Sequence, residues 1–170
     1  MRKSYLKDTK NYYEDNLLVV LRQLLLLKMP TFCNGHYNLE YMAIDHSLTY
    51  KKKSLRNLPH NLRLKNILGI LKKNKVQDYG KAYLDVGCSN GYITNLISKS
   101  FDFERIKGVD HNNENIENAK NLYENIEFDY IDLNKLNTLN GDKFNLVTCF
   151  ETLEHVENLD NAILSILPFA

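Results

Sequence analysis

Cysteine is scarce in this chain: three residues, Cys33, Cys88 and Cys149, no two of which form a C-x-x-C pair. An odd count without such spacing excludes an all-paired disulfide framework and a zinc ribbon, and predicts a reducing, cytoplasmic setting. Proline occurs three times and glycine seven in 170 residues, too few for a collagen-like chain. Long apolar runs are missing too. The most apolar stretch, Leu17–Leu27, is broken by Arg22 and Gln23, well short of the roughly 20 residues that span a bilayer. The mixed-charge start before it has no small-residue cleavage site and does not read as a signal peptide. No membrane span is expected. No internal repeat is visible.

Apolar residues make up 44% and charged residues 25%, as in a soluble globular chain of one domain or two small ones. Net charge is nearly absent at +1, but it is unevenly spread. Residues 1–80 carry 15 Lys/Arg against 6 Asp/Glu, and residues 81–170 carry 7 against 15. The split suggests two segments with different jobs, or one fold with a basic and an acidic side.

A helix is expected from about Glu14 to Met29, closed by Pro30. Residues 31–60 read as irregular. Leu64, Ile67, Leu68 and Leu71 then follow i, i+3, i+4, i+7, which predicts an amphipathic helix with Arg63, Lys65, Lys72 and Lys73 on its surface. After Gly80, short apolar runs alternate with polar helical stretches. Strands are predicted at Lys81–Gly87, Arg105–Asp110, Glu127–Ile131 and Phe144–Phe150, and helices at Gly91–Ser98, Glu114–Tyr123 and Asn158–Leu167. Alternating strands and helices mean an α/β fold, a parallel sheet covered on both faces, with a helical N-terminal extension.

In such sheets ligands bind outside the carboxyl ends of the strands. The first turn there is Leu84-Asp85-Val86-Gly87-Cys88-Ser89-Asn90-Gly91. Gly87 and Gly91 allow a tight turn and close backbone approach. The dinucleotide fingerprint G-x-G-x-x-G would need glycine at Ser89 and Tyr92, so a pyrophosphate is disfavoured. Asp85 would repel phosphates and suits a cationic amine. Asp110, ending the second strand, is placed to accept from both hydroxyls of a ribose. Asp132, after the third, is placed to accept from an adenine amine. An adenosine carrying an amino acid satisfies all three.

LDVGCSNGYI, GVDHNNENIENAK, the Asp132 turn and FNLVTCFETLEHV resemble, in order and spacing, the motifs of class I S-adenosylmethionine-dependent methyltransferases, which have a Rossmann-like sheet. The resemblance covers residues 81–167. It implies that Asp85, Gly87 and Gly91 lie beside the methionine part, Asp110 on the ribose, and Asp132 with Leu133 near adenine, with Ser89, His111 and Phe150 also among the cofactor-binding residues. Ser89 replaces the family's usual middle glycine. Family members usually continue with three more strands, so the resemblance presents the chain as truncated, with the cofactor half of the site kept.

The string Glu151-Thr152-Leu153-Glu154-His155 is similar to that of ubiquinone-biosynthesis O-methyltransferases, and to that of small-RNA 2′-O-methyltransferases, where it supplies magnesium ligands. If the chain turns helical at Glu151, then Glu154 and His155 share its face and the three could hold a divalent cation such as magnesium. His155 as pocket wall or general base is the competing reading, with Glu151 the other deprotonating candidate. Lys51–Lys53, Arg56 and the basic helix offer phosphate contacts, or simply a solvated face. Residues 1–80 are expected to form a helical cap and 81–170 the cofactor-binding core. Three functions stay open: O-methylation of a small-molecule acceptor, which leads; RNA methylation; and a non-catalytic cofactor-binding or interaction module. A homodimer or a partner subunit is compatible with each.

Overall fold

The computed structural model describes residues 58–78, 80–135 and 143–169, all within a compact unit spanning 45–170. The helix expected at 14–29, the lysine run 51–53 and Arg56 lie outside the described residues.

The expected amphipathic helix is α1, Leu58–Lys73. Its apolar stripe ends in fully buried Leu71, and Val76, in the 3-10 turn that follows, is buried as well. Lys72 and Lys73 occupy its last turn, where they complement the negative end of the helix dipole. Then come β1 (Ala82–Val86), α2 (Tyr92–Ser100), β2 (Arg105–Asp110), α3 (Asn113–Leu122), β3 (Glu127–Tyr130), β4 (Leu146–Cys149) and α4 (Leu159–Ile166). Asn112 and Asn158 start α3 and α4 by accepting from the backbone N–H three residues on, each at 3.0 Å.

All strand pairs are parallel, in the order β3-β2-β1-β4, which gives the Rossmann-like α/β sheet expected from the sequence. Val86 pairs with Val109 and with Cys149, so β1, β2 and β4 end level. The chain runs outward from β1 through β2 to β3 and then crosses to the other side of β1. That reversal opens a crevice at the carboxyl ends of β1 and β4.

Alternation along β1 sorts its side chains between the two faces. Leu84 and Val86 enter a core with Val109, Ile131, Leu133, Phe144, Ala162 and Phe169. Each aliphatic side chain so buried contributes roughly 1.5–3 kcal/mol. A second cluster of Cys88, Ile116, Ala119, Ile126 and Phe128 packs under α3. Tyr83 and Asp85 point away from Leu84, and there the sheet buries polar groups. Among the described residues no helix is long and apolar enough to cross a membrane.

Candidate functional site

Four turns leave the carboxyl edge of the sheet. The first, after β1, is held by Gly87 N–H and Cys88 N–H, which both donate to the Val109 carbonyl (2.7 and 3.0 Å), and by Gly91 N–H donating to Cys88 O (2.9 Å). Gly87 (φ +79°) and Gly91 (φ +76°) occupy the left-handed region, as a tight turn requires. The space their missing side chains leave is filled from within the protein. A Cβ at Gly87 would meet Thr152, and one at Gly91 would meet Phe128. Ser89 is also left-handed (φ +49°), which explains why glycine suits that position. Its Oγ is buried and has no hydrogen-bond partner among the described residues. No side chain caps the start of α2, where the N-cap is Gly91.

Asp85, 3% exposed, accepts from Thr94 Oγ1 at 2.6 Å and Thr148 Oγ1 at 2.7 Å, one hydroxyl on each carboxylate oxygen. Burial pushes its carboxyl up to about 6, against the pull of those two hydrogen bonds. Tyr83 OH lies 3.0 Å from Thr148 Oγ1 and extends the network.

Asp110, also buried, ties two turns together. Its carboxylate accepts from Ser89 N–H at 2.8 Å and from Asn112 N–H at 2.9 Å. His111 is mostly exposed, with Nδ1 3.5 Å from Asp110 Oδ1. Asp132 accepts from Asn134 N–H at 3.0 Å and pairs with Lys135 at 2.9 Å. The Lys135 hydrogen bond, then that N–H, hold its carboxyl below the usual range. The Leu133 side chain packs into the core beside Ile131. Asn134 anchors this third turn to the start of α4, its Oδ1 accepting from Glu157 N–H (2.8 Å).

The fourth turn corrects one expectation. The chain does not turn helical at Glu151, which adopts φ +53°; a short 3-10 turn covers only Leu153–His155. The premise that Glu151, Glu154 and His155 share a helical face therefore fails. Among the described residues no three His, Cys, Asp or Glu side chains converge as metal ligands would. Glu151 instead forms an ion pair with Arg63 of α1, 88 residues away. Burial raises its carboxyl, Glu154 adds to that, and Arg63, His60 and His155 oppose it. Phe150 is half-buried, and its carbonyl accepts from Thr152 Oγ1 at 2.9 Å.

The edge thus joins the turn carrying Gly87, Ser89 and Gly91 to Asp110 and the end of β2 by hydrogen bonds, sets Asp85 with its two threonines at the end of β1, and places Asp132 on the neighbouring turn. Thr94, Thr148, Thr152, Asn134 and Arg63 were not singled out for these roles by the sequence. A lone threonine within the apolar run of β4 was the available signal for Thr148.

A family model described as a methyltransferase domain matches residues 77–169. The ubiquinone biosynthesis O-methyltransferase of Coxiella burnetii is 37% identical over 81 residues, covering 45% of this chain and 33% of that protein. That of Psychrobacter arcticus is 31% identical over 83 residues, covering 45% and 32%. The chain thus spans about a third of the length of these curated relatives. Magnesium protoporphyrin IX methyltransferase from Synechocystis PCC 6803, solved with bound S-adenosylmethionine, superposes with a TM-score of 0.56 at 17% identity, covering 72% of this chain and 62% of that one. That likeness concerns the fold.

Proposed function

The chain belongs to the methyltransferase-domain family, and from that footing we propose that it binds S-adenosylmethionine at the carboxyl edge of β1, β2 and β3 and passes the methyl group to an oxygen of a small-molecule acceptor. The observation that carries this reading is the row of three carboxylates, Asp85, Asp110 and Asp132, at the ends of three adjacent strands beside a glycine turn. Among the described residues, Asp85 and Asp110 each have two close hydrogen-bond donors, whereas an ionised carboxylate accepts about four. Both therefore keep capacity for a ligand's ammonium or hydroxyl groups. The buried Ser89 Oγ, without a partner among the described residues, offers a donor for the ligand's carboxylate. These residues fit an adenosine bearing an amino acid.

When bound, S-adenosylmethionine supplies a methyl group on an electrophilic sulfonium. This chain's residues hold the reactants. Asp110 fixes the ribose and Asp132 the adenine edge, while Asp85 takes the ammonium. Such positioning is worth several kcal/mol of barrier. His155 is the deprotonating group for the acceptor hydroxyl, and Glu151, held by Arg63, stands beside it. The O-methyltransferase names of the two curated relatives support oxygen as the acceptor atom.

Incubation with methyl-labelled S-adenosylmethionine, with phenolic small molecules and RNA offered side by side, tests this directly. Label in the phenolic fraction that disappears in Asp110→Ala supports the reading. Label only in RNA contradicts the acceptor class.

A further inference from the structure

Among the described residues, Asp85 is a buried acid with no cation beside it. The titratable groups that face it are Tyr83 on its own strand, Cys88 in the turn, Asp110 on β2 and Cys149 on β4, and all are acids. Burial holds Tyr83 and Cys88 well above their ordinary values and pushes Cys149 up to about 12, so these three stay neutral near pH 7. Asp110 adds a like charge that opposes ionisation of Asp85. The charge on Asp85 is stabilised by two hydroxyl dipoles from opposite sides, Thr94 on α2 and Thr148 on β4, both fully buried. Because Thr148 gives its proton to Asp85, its oxygen accepts from Tyr83 OH. The donor directions run one way, from Tyr83 through Thr148 to the carboxylate.

We infer that Thr94 and Thr148 are positioning residues of the cofactor site: their hydroxyls keep the Asp85 carboxylate charged and aimed at the cationic amine of the cofactor's amino-acid end. The inference rests on the functional reading above. Each hydroxyl takes one acceptor position on a different carboxylate oxygen and leaves one open on each. An ammonium arriving there meets a charge already desolvated and oriented, which strengthens the attraction. A protonated Asp85 has no charge to offer, so ligand affinity and Asp85 ionisation are linked. Removing either hydroxyl takes away a hydrogen bond that favours the charged form, so the acid is neutralised at a higher pH.

The test uses the full chain, with S-adenosylhomocysteine titrated calorimetrically from about pH 5 to about pH 8 and Asp85 followed by carboxyl carbon NMR in the free protein. In the native protein, affinity is expected to fall about tenfold per pH unit below the Asp85 midpoint near 6. In Thr148→Val that midpoint and the affinity break should move upward together; a rise of about one pH unit weakens binding about twofold at pH 7 and about tenfold at pH 5. Thr148→Ser should restore both. Should Thr148→Val fail to fold, Thr94→Val gives the same readout while Tyr83 keeps its partner. An unmoved midpoint in the folded valine variants, or a moved midpoint with pH-independent binding, overturns this inference alone. No binding by the native protein at any pH overturns the functional reading and this inference together.

Discussion

Thr152 fills the space that a side chain at Gly87 would need: a Cβ there would stand 1.9 Å from Thr152 Oγ1. The turn after β4 therefore lies directly on the turn after β1. The region from which an acceptor would be deprotonated is built onto the region proposed to hold the methionine part. This packing, together with the left-handed backbone, is what requires glycine at residue 87.

Gly87→Ala combines a positive φ, costing about 1 kcal/mol, with an overlap costing about 1–3 kcal/mol more. A loss of about 2–4 kcal/mol is expected in urea unfolding. Adding Thr152→Gly to that variant should recover the overlap share and leave the conformational share.

Asp85 gives a stability signature with a definite sign. Its folded-state value near 6 lies above the ordinary carboxylate value of 3.8. Between about pH 4 and about pH 6 the native state holds a proton that the unfolded chain has released, so stability falls as pH rises through that window, by up to about 3 kcal/mol. Asp85→Asn, which can still hydrogen-bond both threonines, should flatten this slope and stabilise the free protein at pH 7. Thermal unfolding at pH 4, 5, 6 and 7 reads it out. The same substitution should weaken S-adenosylhomocysteine binding, a trade of stability for function.

Asp110→Ala strips the acceptor from two backbone donors, Ser89 N–H and Asn112 N–H. Leaving such groups unsatisfied costs about 1–3 kcal/mol each when buried. With both only part-buried, a loss of about 2 kcal/mol is expected in urea. Hydrogen exchange should quicken at residues 88–91 before it does in β2.

Arg63 and Glu151 are each more than a third exposed, so their ion pair is expected to contribute less than about 1 kcal/mol. Arg63→Ala should leave the melting temperature almost unchanged. It should nevertheless move the Glu151 carboxyl further above its usual range, because burial raises it and the guanidinium opposes that rise. Carboxyl NMR titration of Glu151 distinguishes the two effects.

The sheet was legible in the sequence because each strand is a short apolar run between turn signals. Arg105–Asp110 matches β2 to the residue. The predicted strand Phe144–Phe150 shrinks to Leu146–Cys149, and Phe144 N–H goes to Phe169 O rather than to β1. The glycine turn and the acids at residues 85, 110 and 132 were legible because chain spacing alone delivers them to one edge. What stayed hidden depends on contacts between distant residues. Nothing near Glu151 announces Arg63, and nothing near Asp85 announces that Thr148, 63 residues on, will donate to it. The helical geometry on which the shared face of Glu151, Glu154 and His155 was conditional is absent for a related reason: Glu151 takes the left-handed region where the packing of Thr152 on Gly87 sets the path of the turn.

The central claim is that the carboxyl edge of β1 and β2 is a binding site for S-adenosylmethionine. Isothermal titration of the native chain and of Asp110→Ala with S-adenosylmethionine and S-adenosylhomocysteine, with circular dichroism confirming that both proteins are folded, tests it most directly. Saturable one-to-one binding, weakened at least about tenfold in Asp110→Ala, is the expected result, about 1.4 kcal/mol or more. No binding by the native chain, or equal binding by the two proteins, would contradict it.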